Sequence, residues 1–401
     1  MSRPVERQIT VVGGSTPFTA ALADALAEQA DAMPPHGLIL NGRHRRNLET
    51  VGRYVRNRLL RSGWTVQWTS DTAAALRGAH VVVHQPRYGG NAGRQQDEDL
   101  ALRCGLAPDE TLGPGALQSA LRLRAELDAT CRIIGAECPG AWVLNLTNPL
   151  SITTARMVRS GVTRCIGVCE LPRVTMRKAA AVLGEEPERA DWAYTGLNHR
   201  GFIVRLAWRG TDRIHDVARQ LGEDTLDGIR AGEIAGLGAI PTKYFRLLNG
   251  DCAAPTGGRA AFLERLRQRL LDELRRDPGH SPPSLGERYL AWYPEAVVPL
   301  IRALCSPEPA LLEVNRLTDR GIVEEGRAPV SALGIGELVP SEPPTAVRPW
   351  IDRFIRHERC ALAAVERPCR ESIVDALHAD PLVPPTEVAD CARLILDGLD
   401  R

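Results

Sequence analysis

Several side chains of this 401-residue chain stand at spacings that suit chemistry. The run TVVGGSTPFTA places Gly13, Gly14, Ser15 and Thr16 between a strand and a helix. Backbone N–H groups in such a turn approach a pyrophosphate at the positive end of a helix dipole. The dinucleotide fingerprint is matched only in part, because its third glycine is missing, and a plain strand-to-helix turn would read the same. After the next strand a carboxylate is expected where a cofactor ribose is held, yet the residues are Asn41-Gly42-Arg43-His44-Arg45-Arg46. Three arginines suit a 2′-phosphate, hence NADP, and equally suit a solvated helix start. Further along come NLTNP at Asn145 to Pro149, GVCELP with Cys169 and Glu170, GLNHRGF with Asn198 and His199, and IPTKY with Tyr244. GERYLAWYPEAV adds Glu287, Arg288 and Tyr293. Taken singly these are ordinary. A lone Cys and a lone His thirty residues apart are more often structural than metal-binding, a tyrosine is usually packed and an arginine usually solvated.

Positioning such residues requires a scaffold, and the chain supplies an α/β pattern. Short apolar runs at Gln8–Val12, Gly37–Leu40, Thr65–Trp68, His80–His84, Trp142–Leu146 and Arg164–Val168 read as strands. Amphipathic segments between them, at Phe18–Ala30, Arg43–Arg61 and Leu117–Cys131, read as helices. Together they predict a Rossmann-type, doubly wound parallel sheet whose carboxyl edge carries the glycine turn and NLTNP. The polar stretch Arg87–Gly115 reads as a long functional loop. After about residue 185 the order becomes a hairpin (Trp192–Thr195 and Phe202–Trp208), helices at Asp212–Leu221, Ala260–Arg276 and Glu295–Leu304, a strand-rich piece at Leu311–Val339 and a helical tail at Trp350–Leu377. We therefore expect a dinucleotide-binding domain over 1–185 and an α+β catalytic and oligomerisation domain over 186–401. The stretch Asp277–Ser284 reads as an exposed loop.

Composition narrows the function. The chain is 44% apolar and 25% charged, with 50 Lys+Arg against 49 Asp+Glu, so it buries a large core. A net charge of +1 argues against a nucleic-acid binder that relies on counterion release. No apolar stretch reaches the ~20 residues of a membrane span, and the N-terminus shows no signal-peptide core. Ten cysteines without a CxxC pair read as reduced thiols. The expectation is a cytoplasmic enzyme with no membrane or nucleic-acid partner.

In order, VVGGST, QPRYGGNAGRQQDE, DETLGPG, NLTNP, GVCELP, GLNHRGF, IPTKY, ERYLAWYPEAV and EVNRLTDRGIV resemble the NAD- and metal-dependent glycosidases of glycoside hydrolase family 4. That family includes 6-phospho-glucosidases, α-galactosidases and α-glucuronidases, and the resemblance spans nearly the whole chain. It implies a fold similar to the lactate and malate dehydrogenases, a bound NAD or NADP recycled in each turnover, a divalent metal, typically manganese, and a homodimer or homotetramer. The nicotinamide oxidises C3 of the sugar, a base removes the C2 proton, the aglycone is eliminated, water adds and the hydride returns. By resemblance Cys169 and His199 are the metal ligands and Tyr244 is the base, its phenol lowered by the metal and by Lys243 or Arg246. Glu170 falls where members differ and reads first as a general acid, with a third ligand or a substrate hydrogen-bond acceptor also open. Asn148 and Asn198 hold the sugar, Glu110 orients the sugar or the nicotinamide, Arg94 and Arg288 grip a 6-phosphate or carboxylate, and Gly13, Gly14, Ser15, Thr16, Asn41, Arg43 and Asn145 meet the cofactor. Cysteine is soft for manganese, so zinc, iron, cobalt and nickel stay open. Three departures stand out: VGGS for GGGS, Asn41 for the usual acid, and Glu170 for the usual Asn. The substrate read from this is a small anionic sugar or sugar phosphate. An oxidoreductase or epimerase using the same C3 oxidation is the alternative, and a non-catalytic nucleotide- or sugar-binding module is a third reading.

Overall fold

The structure is a computed structural model and describes residues 7–34, 36–249 and 258–399. Strands β1 (Gln8–Val12), β2 (Gly37–Asn41), β3 (Thr65–Thr69), β4 (Val81–His84), β5 (Trp142–Asn145) and β6 (Cys165–Gly167) form a parallel sheet. Their order is β3-β2-β1-β4-β5-β6, a doubly wound Rossmann sheet. Side chains alternate across it. Ile9, Val11, Val81, Val83 and Leu144 enter one core beneath the helices Thr19–Glu28 and Arg45–Leu59, while Val12, Val82 and Val143 enter another beneath the helix Gly113–Glu137. Coverage on both faces explains why Val81, Val82 and Val83 of β4 are all apolar.

The sheet does not end at β6. The hairpin Ala310–Leu317 and Val323–Ser331 adds antiparallel to it and is followed by β7 (Asp191–Leu197) and β8 (Arg200–Trp208). Each seam is one residue pair, Asn315 with Gly167 and Glu325 with Gly196. The helix Arg259–Arg276 and residues 293–304 return to the β1–β2 face, where Leu263, Leu266, Leu270, Val298 and Ile301 share a core with Leu48, Tyr54 and Leu144. Packing therefore crosses residue 185 repeatedly. A separate core under β7 and β8 takes in the helices Arg348–Glu366, Arg370–Ala379 and Val388–Leu399, the last of which lies beyond the expected tail.

Arg87–Gly115 is not a long loop. It contains the helix Gly90–Arg103, and the helix expected from Leu117 begins at Gly113 with Pro114 in its first turn and runs to Glu137. Arg94, Asp97 and Glu98 on the inward side of Gly90–Arg103 face a cavity, so the apolar period that marks a helix in sequence is missing there. Among the described residues no helix is long and apolar enough to cross a membrane.

Candidate active site

The carboxyl ends of β1, β2, β4 and β5, the turn after β6 and the β7–β8 turn open on one cavity of about 1000 Å³. Gly13, Ser15, Thr16, Asn41, Arg43, Arg94, Glu110, Asn148, Cys169, Glu170, His199, Tyr244 and Arg288 all line it. Gly14, Asn145 and Asn198 do not.

At the nucleotide end, the N–H groups of Gly13 and Gly14 both donate to Asn41 O, at 3.0 and 2.7 Å. Their amides thus bind the next strand rather than point into the cavity. Gly13 has φ +90°, and a Cβ there would stand 2.8 Å from Pro86 N, so glycine is required for the turn to pass the β4 loop. The amides of Ser15 and Thr16 are engaged by no backbone carbonyl among the described residues, which leaves them for a phosphate. Asn145, expected at the cofactor, is fully buried. Its oxygen takes bonds from the Thr147 amide and the His84 ring, and its amide donates to Thr153 and Thr154. It fixes the NLTNP loop from below and has no donor or acceptor left for a ligand. Arg43 pairs with Glu126 at 3.0 Å, and Arg45 donates to Ser70.

At the other end, the β7–β8 turn puts His199 at φ +64°, its carbonyl held by Thr242 Oγ1 at 2.8 Å. The ring stacks on Tyr244 with centroids 4.1 Å apart and planes 6° from parallel. Cys169, in the turn after β6, packs with Leu150 and Leu171 against Tyr244. Burial, helped by Lys243 and Arg200, pushes the His199 imidazole down to about 3, so it is neutral and offers a lone pair. Burial pushes the Cys169 thiol well up, and a metal would have to displace its proton. Among the described residues no group of three or more His, Cys, Asp or Glu could hold a metal. A cation here would have two protein ligands and open positions for substrate oxygens. The surroundings fit one. Asn198 is fully buried beside the thiol, its Oδ1 has no partner, and the buried Glu325 carboxyl lies behind it.

The two arginines expected to hold an anion differ. Arg94 is half-buried and bridges Glu98, at 2.7 Å, and Glu110. Glu110 also takes Arg87 at 3.3 Å and Asn148 at 3.4 Å. The Arg288 side chain has no hydrogen bond or ion pair among the described residues. It is held between the Phe18 ring, 4.4 Å away, and the Trp292 ring, 4.9 Å away. Burial and the nearby Arg87, Arg259 and Arg94 push it down to about 9. A guanidinium crowded by like charges and lacking an acid is built to receive an anion.

Burial raises the Glu170 carboxyl, against an opposing pull from Lys243 and Arg288. Burial, Asp109, Cys169 and Glu170 hold the Tyr244 phenol well above its usual range. Arg94 opposes this rise. Lys243 Nζ sits 5.2 Å from the ring centroid, and the Arg246 side chain packs near Gly228. The protein alone keeps this phenol protonated.

Two residues near the site escaped the sequence. Glu325 accepts from Tyr194 OH at 2.8 Å and from Asn315 Nδ2 at 2.7 Å. Thr111 Oγ1 lies 2.8 Å from His199 Nδ1. Glu325 sits in a strand whose pairing to β7 is visible only in three dimensions. Thr111 lay in a motif, DETLGPG, where Glu110 drew attention as the charged residue.

A sheet of order 3-2-1-4-5-6 with a cavity at its carboxyl edge is the fold of the dinucleotide-binding dehydrogenases. Malate dehydrogenase from Cryptosporidium parvum shares the fold, with TM-score 0.60 and 12% identity over 90% of this chain and 99% of that one. The narrower relationship is to sugar hydrolases. Residues 8–185 match the model of family 4 glycosyl hydrolases. It is 26% identical to a Bacillus subtilis protein described as "Probable 6-phospho-beta-glucosidase", across 98% of this chain and 95% of that protein. The 6-phospho-beta glucosidase of Thermotoga maritima, solved with manganese, NAD+ and glucose-6-phosphate, superposes with TM-score 0.87 and 23% identity over 98% of both chains.

Proposed function

We propose that this chain is a redox-neutral glycosidase that cleaves a small 6-phosphorylated glycoside with bound NAD and a divalent metal. One observation carries the reading: a single cavity joins the Ser15–Thr16 amides, the Cys169–His199–Tyr244 cluster and the unpaired Arg288. Its relatives named above support the cofactor, metal and phosphosugar. Arg43 and Arg45, committed to Glu126 and Ser70, favour NAD over NADP.

When bound, the nicotinamide supplies hydride transfer at C3 of the sugar and the metal polarises the oxygens at C2 and C3. Cys169 Sγ and His199 are the protein atoms that would hold the metal. Tyr244 Oη would take the C2 proton as the phenolate, which a cation at Cys169 and His199 would favour, and its ring, stacked on His199, is fixed beside the ligand. Glu170, raised by burial, is the carboxyl that would give a proton to the leaving oxygen. Arg288 takes the 6-phosphate, while Glu110 and Asn148, bonded to each other, orient the sugar hydroxyls. In this reading residues 1–185 supply the nucleotide site and 186–401 complete the metal and sugar site. A reduced Cys169 suits the cytoplasm, and a homodimer or homotetramer accompanies the family relationship.

The test is hydrolysis of nitrophenyl 6-phosphoglycosides with NAD and Mn2+ in heavy water. We expect cleavage with deuterium at C2 of the released sugar and no net NADH. Cleavage without exchange at C2 would overturn the mechanism, and a stoichiometric NADH signal would make the protein a net oxidoreductase.

A further inference from the structure

The two proposed metal ligands are not equally supported by their surroundings. A histidine that binds a metal through one ring nitrogen carries a proton on the other, and that N–H needs an acceptor held in place. His199 Nδ1 lies 2.8 Å from Thr111 Oγ1, and no other side chain among the described residues bonds the ring. We infer that Thr111 is a positioning residue for the metal: its hydroxyl accepts the His199 Nδ1–H, fixes the tautomer that leaves the Nε2 lone pair free, and sets the plane of the ring. This inference rests on the reading of Cys169 and His199 as metal ligands.

The way Thr111 is held supports the role. Thr111 is 4% exposed. The Asp109 carboxylate accepts the backbone N–H of Thr111 at 2.8 Å and of Leu112 at 3.1 Å, closing a tight turn under the hydroxyl. The next amide, Gly113 N, donates to Asp380 at 2.9 Å. Asp380 contacts His357 at 3.3 Å, and Arg200 donates to His357 at 2.8 Å and pairs with Glu358. Arg200 directly follows His199. The turn that carries Thr111 and the strand that begins at Arg200, next to His199, are therefore fastened to one buried charge cluster, which sets the distance between hydroxyl and ring. Tyr244 stacks on one face of the same ring, a second contact that opposes tilting of the imidazole.

A threonine is a deliberate choice of acceptor here. Its hydroxyl has two lone pairs and a rotating hydrogen, so it accepts from Nδ1–H in the metal-bound state without bringing a further charge beside the metal. Valine has nearly the same shape and no acceptor. Thr111→Val would leave the Nδ1–H buried and unpaired in the metal-bound form.

The measurement is Mn2+ binding to the NAD-loaded, metal-stripped protein, followed by the loss of the free-ion electron paramagnetic resonance signal, with NAD affinity measured in parallel. We expect Thr111→Val to weaken Mn2+ roughly 10–100-fold and Thr111→Ser to stay within about threefold of the parent, both with NAD affinity unchanged. If Thr111→Val does not fold, Thr111→Ala against Thr111→Ser gives the same comparison, since the two differ by the hydroxyl alone. Wild-type Mn2+ affinity in Thr111→Val or Thr111→Ala, with His199→Ala abolishing binding, would overturn the inference and leave the metal site standing. Unchanged Mn2+ affinity in His199→Ala would overturn the metal-site reading itself, and the inference with it.

Discussion

Replacing Glu325 by glutamine removes one titration from the metal-free protein while nearly keeping its shape. The carboxyl is 2% exposed, and burial pushes it up to about 7 from the usual 4.5, with nearby Glu170 adding to the rise. Hydrogen bonds from Asn315, Tyr194 and Asn198 pull the other way without cancelling it. Between these two values the folded protein keeps a proton that the unfolded chain has released. The group's contribution to stability is thus fully present below pH 4.5 and is lost as pH rises through about 7. At ~1.4 kcal/mol per tenfold change in proton affinity, the loss comes to about 3 kcal/mol. Glutamine cannot titrate. Its amide also turns an N–H group toward donors that met a carboxylate, which adds a pH-independent offset of about 1–3 kcal/mol. Urea denaturation of both metal-free proteins from about pH 5 to about pH 8 separates the two effects, since only the titration changes the gap between the curves. We expect wild type to lose about 3 kcal/mol relative to Glu325→Gln over that range. Parallel curves would show that the carboxyl titrates normally and would refute the reasoning from burial. A bound divalent cation should pull the carboxyl down and shrink the step.

Other substitutions probe the site and its frame. Tyr244→Phe keeps the stack on His199 and removes the base, so kcat should fall about 10²–10⁴-fold, deuterium exchange at C2 should stop, and NAD and Mn2+ affinities should hold. Arg288→Met should raise KM for a 6-phosphoglycoside roughly 10–100-fold, the worth of about 1.5–3 kcal/mol for a hydrogen bond to a charged group, and leave the unphosphorylated glycoside unaffected; equal effects on both would remove the phosphate from Arg288. Arg200→Met leaves Glu358 charged and unpaired at 1% side-chain exposure, so urea denaturation should show a loss of about 3–5 kcal/mol.

The nucleotide half was legible in the sequence because its elements form from local patterns. Apolar runs such as Val81-Val82-Val83 and the strand-glycine-helix order around Gly13 appear in the structure where the pattern puts them. The helix Gly90–Arg103 was not legible, because its cavity face carries Arg94, Asp97 and Glu98, and a helix that serves a site loses the apolar period that would reveal it. Resemblance singled out Cys169, His199, Tyr244 and Arg288, but a linear reading gives each residue a type and not a partner. Asn145 looked like a ligand contact and is a fully bonded buried amide, while Arg94, expected to grip an anion, is paired with two acids of the chain.

By itself the sequence determined the α/β class and, through the order of its motifs, a family whose chemistry uses these side-chain types. Tertiary structure alone decided how they are poised. Inserting the strands Ala310–Leu317 and Val323–Ser331 between β6 and β7 puts the Glu325 carboxyl behind Asn198 and the Cys169 thiol, and the turn of Asp109 brings Thr111 to the ring of His199. Burial, charge and hydrogen bonding set proton affinity and ring orientation, and these depend on neighbours in space that the chain order does not contain.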